Sequence, residues 1–284
     1  MPFPCYAVYN AGATLFEGKI LLLLRVENPQ IHCTFHVATS DDGIHFTVEP
    51  EPVRYPFRAF ESMYGSHRYD PRITRIGEDY YVMHAIHNKF GATFGLARTR
   101  DFKTLTPVGD TSVPFNRNAV LFPEKIKGLY ARLERPVSGE HNGSIWVSYS
   151  PDLEFWGRSM PVDLPRHLWC EQKVGAGAVP IRTERGWLEI YHGTQMTAST
   201  ENYFLGVCLL DAEDPSRILK APKRFVLAAE KPYECMGQVP NVVFTSGAVV
   251  LEDGTVNVYY GGADTRVCLA QTTIAELLDF CDAY

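Results

Sequence analysis

Along most of the chain, apolar and polar positions alternate with the two-residue period of β-strands. Runs rich in Val, Ile, Tyr, Leu and Phe are broken by Gly, Asp or Asn about every eight to twelve residues. A helical period emerges only near the end, at Thr273–Phe280 (TIAELLDF). The pattern predicts an all-β chain with a short C-terminal helix.

A repeat underlies the strands. Five times a polar or small residue opens a strand, a turn follows, and an aromatic-rich strand returns. The copies are NAGATLFEGKILLLLRVE from Asn10, DPRITRIGEDYYVMHAIH from Asp70, NAVLFPEKIKGLYARLERP from Asn118, GAGAVPIRTERGWLEIYHG from Gly175 and SGAVVLEDGTVNVYYGGAD from Ser246. Most are followed by a third strand with an Asp-containing turn, as in HVATSDDGIHF, GLARTRDFKTL, WVSYSPDLEFW and GVCLLDAEDPSRIL. The copies start about 50 to 70 residues apart, which suits the blades of a propeller. An immunoglobulin-type sandwich needs about 100 residues per unit, and a TIM barrel needs eight helices that this pattern lacks. The expectation is a five-bladed β-propeller spanning residues 1–284 as one domain.

Composition narrows the partners. The net charge of −6 and pI near 5.9 argue against nucleic acid, whose phosphate backbone demands a basic face. LLLL at 21–24 is far shorter than the ~20 residues of a membrane span, and MPFPCYAVYN lacks the pattern of a signal peptide. Seven scattered cysteines without a C-x-x-C pair point to a reduced, cytoplasmic protein rather than a disulfide framework or zinc site. Exposed blade edges are compatible with a homo-oligomer.

The repeat also predicts a site. In an antiparallel hairpin the start of the first strand lies beside the end of the second, so these places in all copies should gather at one mouth of the central channel. First-strand starts supply Asn10, Asp70, Arg117, Asn118 and Lys173. Second-strand ends supply Arg25, Glu27, His84, His87, Glu134, Arg135, His192 and Asp264. Arg25, Arg117, Arg135, Lys173 and His192 would form a basic cluster in an acidic protein, suited to a small anion such as phosphate or a carboxylate. Asp70, between Arg68 and Arg72 in RYDPR, is either a salt-bridge residue or a general acid, with Glu134, Asp264 and Glu27 as rivals. Tyr69, Trp169, Trp187, Tyr191, Tyr203 and Tyr233 are candidate sugar platforms, against a bland reading in which most are packing residues. The spacings of His32, His36, His84 and His87 do not favour a metal site on strands, and none is expected.

At this level of detail the chain resembles glycoside hydrolase family 130. The likeness rests on YDPRIT at 69–74, NRNAVLFPEKIKG at 116–128, RLERP at 132–136, KVGAGAVPI at 173–181, GWLEIYHG at 186–193, ECMGQVPNVVF at 234–244 and YYGGADT at 259–265. It runs from about Asn10 to the last helix, with the motifs in order. The resemblance implies a five-bladed propeller that cleaves β-mannosides with inorganic phosphate, needs no other cofactor, inverts the anomeric centre and releases α-mannose 1-phosphate. It makes Asp70 the general acid, acting through the mannose 3-hydroxyl. It makes Arg25, Arg117, Asn118, Arg135, Lys173, His192 and Tyr203 phosphate ligands, and places Asn10, Tyr69 and Asp264 around the mannose. A hydrolase would replace basic ligands by water-activating glutamates, so retention of the bases favours phosphorolysis, with Glu134 as the one carboxylate that reopens hydrolysis. A non-catalytic sugar-binding propeller is the alternative from another class. Among linkages the compact form and HCTFHVATSDDG lean toward β-1,2-mannobiose or oligomannoside; β-1,4-mannooligosaccharides and mannosyl-glucose stay open.

Overall fold

The computed structural model describes residues 1–56, 67–110, 112–137 and 143–283. Within it the four leucines occupy a strand buried on both faces. They belong to β2 (Lys19–Glu27), the second strand of a sheet with β1 (Ala7–Phe16), β3 (Cys33–Ser40) and β4 (Thr47–Val48). Side chains alternate across a strand, so Leu21 and Leu23 join one apolar cluster while Ile20, Leu22, Leu24 and Val26 join another. The first cluster includes Ile73, Tyr80 and Val82 of the next sheet; the second includes Val249 and Tyr259 of the last. An unbroken aliphatic run is what a strand needs when both faces meet neighbouring sheets. Each fully buried leucine contributes roughly 2 kcal/mol.

The same plan recurs. The second sheet is β5 (His67–Ile76), β6 (Asp79–Asn88), β7 (Gly91–Thr99) and β8 (Thr106–Asp110). The third is β9 (Asn116–Leu121), β10 (Tyr130–Pro136), β11 (Trp146–Ser150) and β12 (Gly157–Pro161). The fourth holds β13 (Lys173–Ala176), β14 (Ile181–Thr183), β15 (Gly186–Met196), β16 (Glu201–Leu210), β17 (Ile218–Lys220) and β18 (Leu227–Ala228). The fifth is β19 (Val243–Val250), β20 (Thr255–Gly262) and β21 (Arg266–Thr273), followed by a helix at Ile274–Ala283. These are five blades of a β-propeller, as the repeat predicts. Among the described residues five apolar clusters lie one between each pair of adjacent blades, the fifth joining blade 5 to blade 1.

The ring closes without a shared strand, because blades 1 and 5 are each built from one continuous stretch of chain. Side-chain packing does most of the closing. The Val8 N–H donates to the Thr265 carbonyl at 3.1 Å, and the Tyr259 hydroxyl donates to the Gly43 carbonyl at 2.8 Å. Where innermost strands approach one another there is no room for side chains. A Cβ on Gly12 would stand 2.7 Å from the Pro71 carbonyl oxygen, and one on Gly247 would stand 2.5 Å from the Ala13 nitrogen.

The Asp turns after the third strands are built alike. Asp42, Asp101 and Asp152 each accept the backbone N–H two residues on, at 2.8–2.9 Å. Two residues before each, Ser40, Thr99 or Ser150 accepts another N–H from the same turn. Blade 4 keeps Asp211, with Glu213 N–H at 2.9 Å, but has Leu209 in place of the hydroxyl.

Candidate active site

Bulges aim the functional side chains. The register slips between Tyr9 and Gly12 on β1 and between Tyr69 and Arg72 on β5. A third slip separates Leu133 from Arg135 on β10, opposite Asn118 on β9. A bulge adds a residue to one strand and redirects its side chain. Asn10, Asp70 and Asn118 sit at these points with φ of 49°, 53° and 54°, and Asp264 has φ 49° in the turn between β20 and β21 of blade 5. Asn and Asp tolerate this left-handed backbone because their short polar side chains bond locally. All four line a cavity of about 190 Å³ at the channel mouth.

One end of the cavity is a carboxylate cluster. Arg25 donates from Nη1 to Asp70 at 2.8 Å and from Nη2 to Glu27 at 2.5 Å. Asn10 Nδ2 donates to the same Asp70 oxygen at 3.0 Å, and the Tyr9 hydroxyl donates to Glu27 at 2.6 Å. The Arg25 guanidinium lies over the Tyr9 and Tyr69 rings, 4.1 and 4.9 Å from their centroids. Burial opposes its charge, but Asp70, Tyr9, Cys33 and Glu27 together outweigh it and hold its pKa well above the usual value. Burial pulls Glu27 up, yet the bonds from Tyr9 and Arg25 leave it below the ordinary carboxylate range. Asp264 differs: burial, with the charge of Asp70 adding, pushes its carboxyl up to about 7.

The opposite end is cationic. Arg117 and Arg135 face the cavity, and among the described residues neither has a carboxylate within salt-bridge distance. Burial, reinforced by Arg117, holds the Arg135 pKa below the usual value, the mark of a cation without its counter-charge. Asn118 Nδ2 and Arg135 Nη1 both donate to His192 Nε2, each at 3.1 Å. Burial first, then Arg135, drives the His192 pKa well down. Tyr203 stacks on His192 with centroids 5.9 Å apart.

Several expected residues stand elsewhere or play other parts. His192 is a neutral acceptor that orients Arg135 and Asn118, because burial beside arginines disfavours a second cation. Arg25, expected among the anion ligands, is at the carboxylate end with both terminal nitrogens engaged. Lys173 is not part of the cavity lining; it pairs with Glu201, 5.5 Å above the Tyr203 ring centroid. Glu134 is buried in a different cluster, bonded to Arg132 at 2.9 Å, to Asn116 at 3.2 Å and to Ser148, and does not line the cavity. His84 bonds the Gly95 carbonyl at 2.9 Å inside the blade, and His87 is exposed at a strand end. Asp70 does have a salt bridge, but to Arg25 from another blade. Arg68 bonds the Tyr55 and Pro56 carbonyls. Arg72 crosses to the Ala176 and Gly177 carbonyls and also holds the Asp70 carbonyl. Of the six aromatics expected as sugar platforms, Tyr69 and Tyr203 reach the cavity; Trp169, Trp187 and Tyr191 are core, and Tyr233 is on the outside. Among the described residues no group of three metal-ligating side chains is found, and no helix is long and apolar enough to cross a membrane.

The sequence reasoning missed the cavity's apolar wall, Val239, Val242 and Phe244, although ECMGQVPNVVF contains all three. It also missed Glu201, a lone glutamate in a strand with nothing around it to mark its partner.

The order of the motifs and this geometry agree with a family profile. That of glycoside hydrolase family 130, described as beta-1,4-mannooligosaccharide phosphorylase, matches residues 3–283. The chain belongs to this family. A β-1,4-mannooligosaccharide phosphorylase from Ruminococcus albus is 34% identical over 292 residues, covering 98% of this chain and 86% of the relative. A β-1,2-mannobiose phosphorylase from Listeria innocua is 39% identical over 251 residues, covering 85% of this chain and 67% of the relative. The solved structure of the Listeria innocua β-1,2-mannobiose phosphorylase, bound to β-1,2-mannobiose, superposes with a TM-score of 0.88 at 30% identity, over 99% of this chain and 93% of that one. This family-130 chain is thus similar to relatives named for two different linkages.

Proposed function

We propose that the protein catalyses inverting phosphorolysis of a β-mannoside, releasing α-D-mannose 1-phosphate and the shortened sugar. The observation that carries this reading is the pair of arginines, Arg117 and Arg135, facing the same cavity as Asp70 without carboxylate partners. Inverting hydrolases use a second carboxylate to activate water, but phosphate is already a nucleophile and needs a cradle, not a base. Two uncompensated guanidinia match a phosphate dianion in charge and in fork geometry. Asn118 and Tyr203 add polar atoms beside them, His192 holds their geometry, and Lys173, 5.5 Å from the Tyr203 ring centroid, would join on leaving Glu201. Arg25, the remaining ligand implied by the family likeness, contributes through Asp70.

In this reading mannose lies between Asn10, Tyr69 and Asp264. A proton passes from Asp70 through the mannose 3-hydroxyl to the glycosidic oxygen as the bond to C1 breaks. Phosphate oxygen bonds C1 from the opposite face, inverting it. Hydrogenphosphate loses its proton on becoming the ester dianion, so the acid is recharged with no net proton consumed. The β-1,2 linkage is favoured by the 39% identity and the 0.88 TM-score to Listeria innocua β-1,2-mannobiose phosphorylase. The protein acts as a soluble cytoplasmic enzyme, built as one domain and needing only phosphate.

The test incubates the protein with β-1,2- and β-1,4-mannobiose, with and without phosphate. Mannose 1-phosphate formed only with phosphate is the expected result. Free mannose formed equally without phosphate would establish a hydrolase, and no turnover would leave a sugar-binding propeller. Supplying mannose 1-phosphate to a panel of acceptor sugars reads the linkage directly.

A further inference from the structure

The carboxylate end of the cavity divides one guanidinium between two acids. Arg25 gives Nη1 to Asp70 at 2.8 Å and Nη2 to Glu27 at 2.5 Å. A guanidinium facing a lone carboxylate can fork onto both of its oxygens in parallel. Glu27 prevents that here. Asp70 receives Arg25 and Asn10 on the same oxygen, Oδ1, at 2.8 and 3.0 Å. Its Oδ2 makes no hydrogen bond among the described residues and is not sealed from the cavity that Asp70 lines. A carboxylic acid can accept two hydrogen bonds on its carbonyl oxygen and carry its proton on the other. The divided guanidinium therefore suits a proton donor, whereas a fork on both oxygens would occupy Oδ2 and favour the ionised form.

Glu27 itself is 1% exposed and does not line the cavity. Beside the Arg25 contact its Oε1 accepts the Tyr9 hydroxyl at 2.6 Å and the Cys33 thiol at 3.5 Å, and its Oε2 accepts Gln238 Nε2 at 3.1 Å. Gln238 lies in the connection between blades 4 and 5, which also supplies Val239 and Val242 to the cavity wall. A buried carboxylate with this many donors keeps its charge and its place. The titratable and charged groups facing Glu27 are Tyr9, Arg25 and Cys33 of blade 1 and Asp264 of blade 5. Those facing Asp70 are Arg25, Asp264 and, on its own strand, Tyr69 and Arg72. Arg72 is committed to backbone carbonyls, so Arg25 is the cation whose aim Glu27 sets.

We propose that Glu27 is a positioning residue for the acid: by holding Arg25 Nη2 it leaves Asp70 Oδ2 free to bear the proton destined for the mannoside. This role rests on reading the cavity as a β-mannoside phosphorylase site with Asp70 as its acid. Glu27 touches no substrate and neither gives nor takes a proton in the reaction.

Glu27→Gln keeps the shape and removes the charge, releasing Arg25 to grip Asp70 with both ends. With the mannobiose that wild type cleaves, kcat for phosphorolysis should fall by about 10- to 100-fold while KM for phosphate and for sugar stays within about threefold. The alkaline limb of the kcat/KM profile should move to lower pH by about one unit, because the acid then gives up its proton earlier. Comparison with wild type in the same buffers cancels the ionisation of phosphate. Glu27→Asp, with the charge on a shorter arm, should recover part of the rate and hold the limb near its wild-type position. Gln238→Leu, a change at an exposed residue, should move rate and limb the same way by a smaller step. Wild-type rate and profile in Glu27→Gln would overturn the proposal. So would a loss of rate with the limb unmoved and equal in Glu27→Asp, the mark of a packing role. If thermal melting shows Glu27→Gln unfolded, a wild-type limb in Gln238→Leu would overturn it instead. Absence of phosphate-dependent turnover in wild type would remove the phosphorylase reading, and this role with it.

Discussion

The two ends of the cavity hold their arginines in opposite ways. Arg25 is ion-paired twice, to Asp70 and Glu27, and its pKa is raised. Arg135, across the cavity, has a neutral histidine for a partner and its pKa is lowered. Identical guanidinium groups thus do different work. Arg25 has both terminal nitrogens engaged before any ligand arrives and shapes the carboxylate beside it. Arg135 and Arg117 carry unbalanced charge that an anion would neutralise. A site of this kind is primed for one charged and one neutral ligand side by side, which is the requirement of a phosphorylase.

The largest test of this contrast is to remove the proposed acid. Asp70→Asn should lower phosphorolysis by about 10³-fold or more while phosphate binding stays within a few-fold of wild type, read by steady-state rates and phosphate titration. Next comes the cationic end. Arg135→Ala should raise the phosphate KM by about 100-fold with little change in mannoside binding, and Arg135→Lys should recover only part, because a lysine lacks the fork. Thermal melting alongside separates this loss from unfolding, since Arg135 is buried.

A smaller effect of opposite sign is expected at Glu201. Glu201→Gln frees Lys173 toward the phosphate side and should lower the phosphate KM by about 3- to 10-fold, a gain that shrinks as salt is added. The smallest test is thermodynamic. Asp264 has its folded pKa raised to about 7, above the usual carboxyl value of about 4, so the folded state holds the proton more tightly. The stability this confers is full below about pH 4 and is lost as pH rises through about 7. Asp264→Asn should therefore be more stable than wild type at about pH 8, by something on the order of 2–4 kcal/mol, with the gap closing toward about pH 4 in urea titrations.

Much of this was legible in the chain. The five copies predict the blades, and the polar residues that open the first three place Asn10, Asp70 and Asn118 together. Arg117, Arg135, His192, Tyr203 and Asp264 also arrive at the cavity. What escaped was decided by single-residue steps. Glu134 and Arg135 are neighbours on β10, so they point to opposite faces, and only the second meets His192. The bulges that set those steps leave no mark in a hydrophobic pattern. Nor does spacing reveal which of three cations a carboxylate will choose, as Asp70 does in bonding Arg25 from another blade rather than Arg68 or Arg72 beside it in sequence.

The left-handed turns under Asn10, Asp70, Asn118 and Asp264 restrict what this mouth can become. At these four places the chain uses asparagine or aspartate, the side chains that tolerate such backbone best after glycine. Each carries a short amide or carboxyl. The backbone thus favours proton-handling and hydrogen-bonding groups at the mouth before selection for any reaction begins. Exchanging acid for amide there takes one substitution and leaves the frame alone.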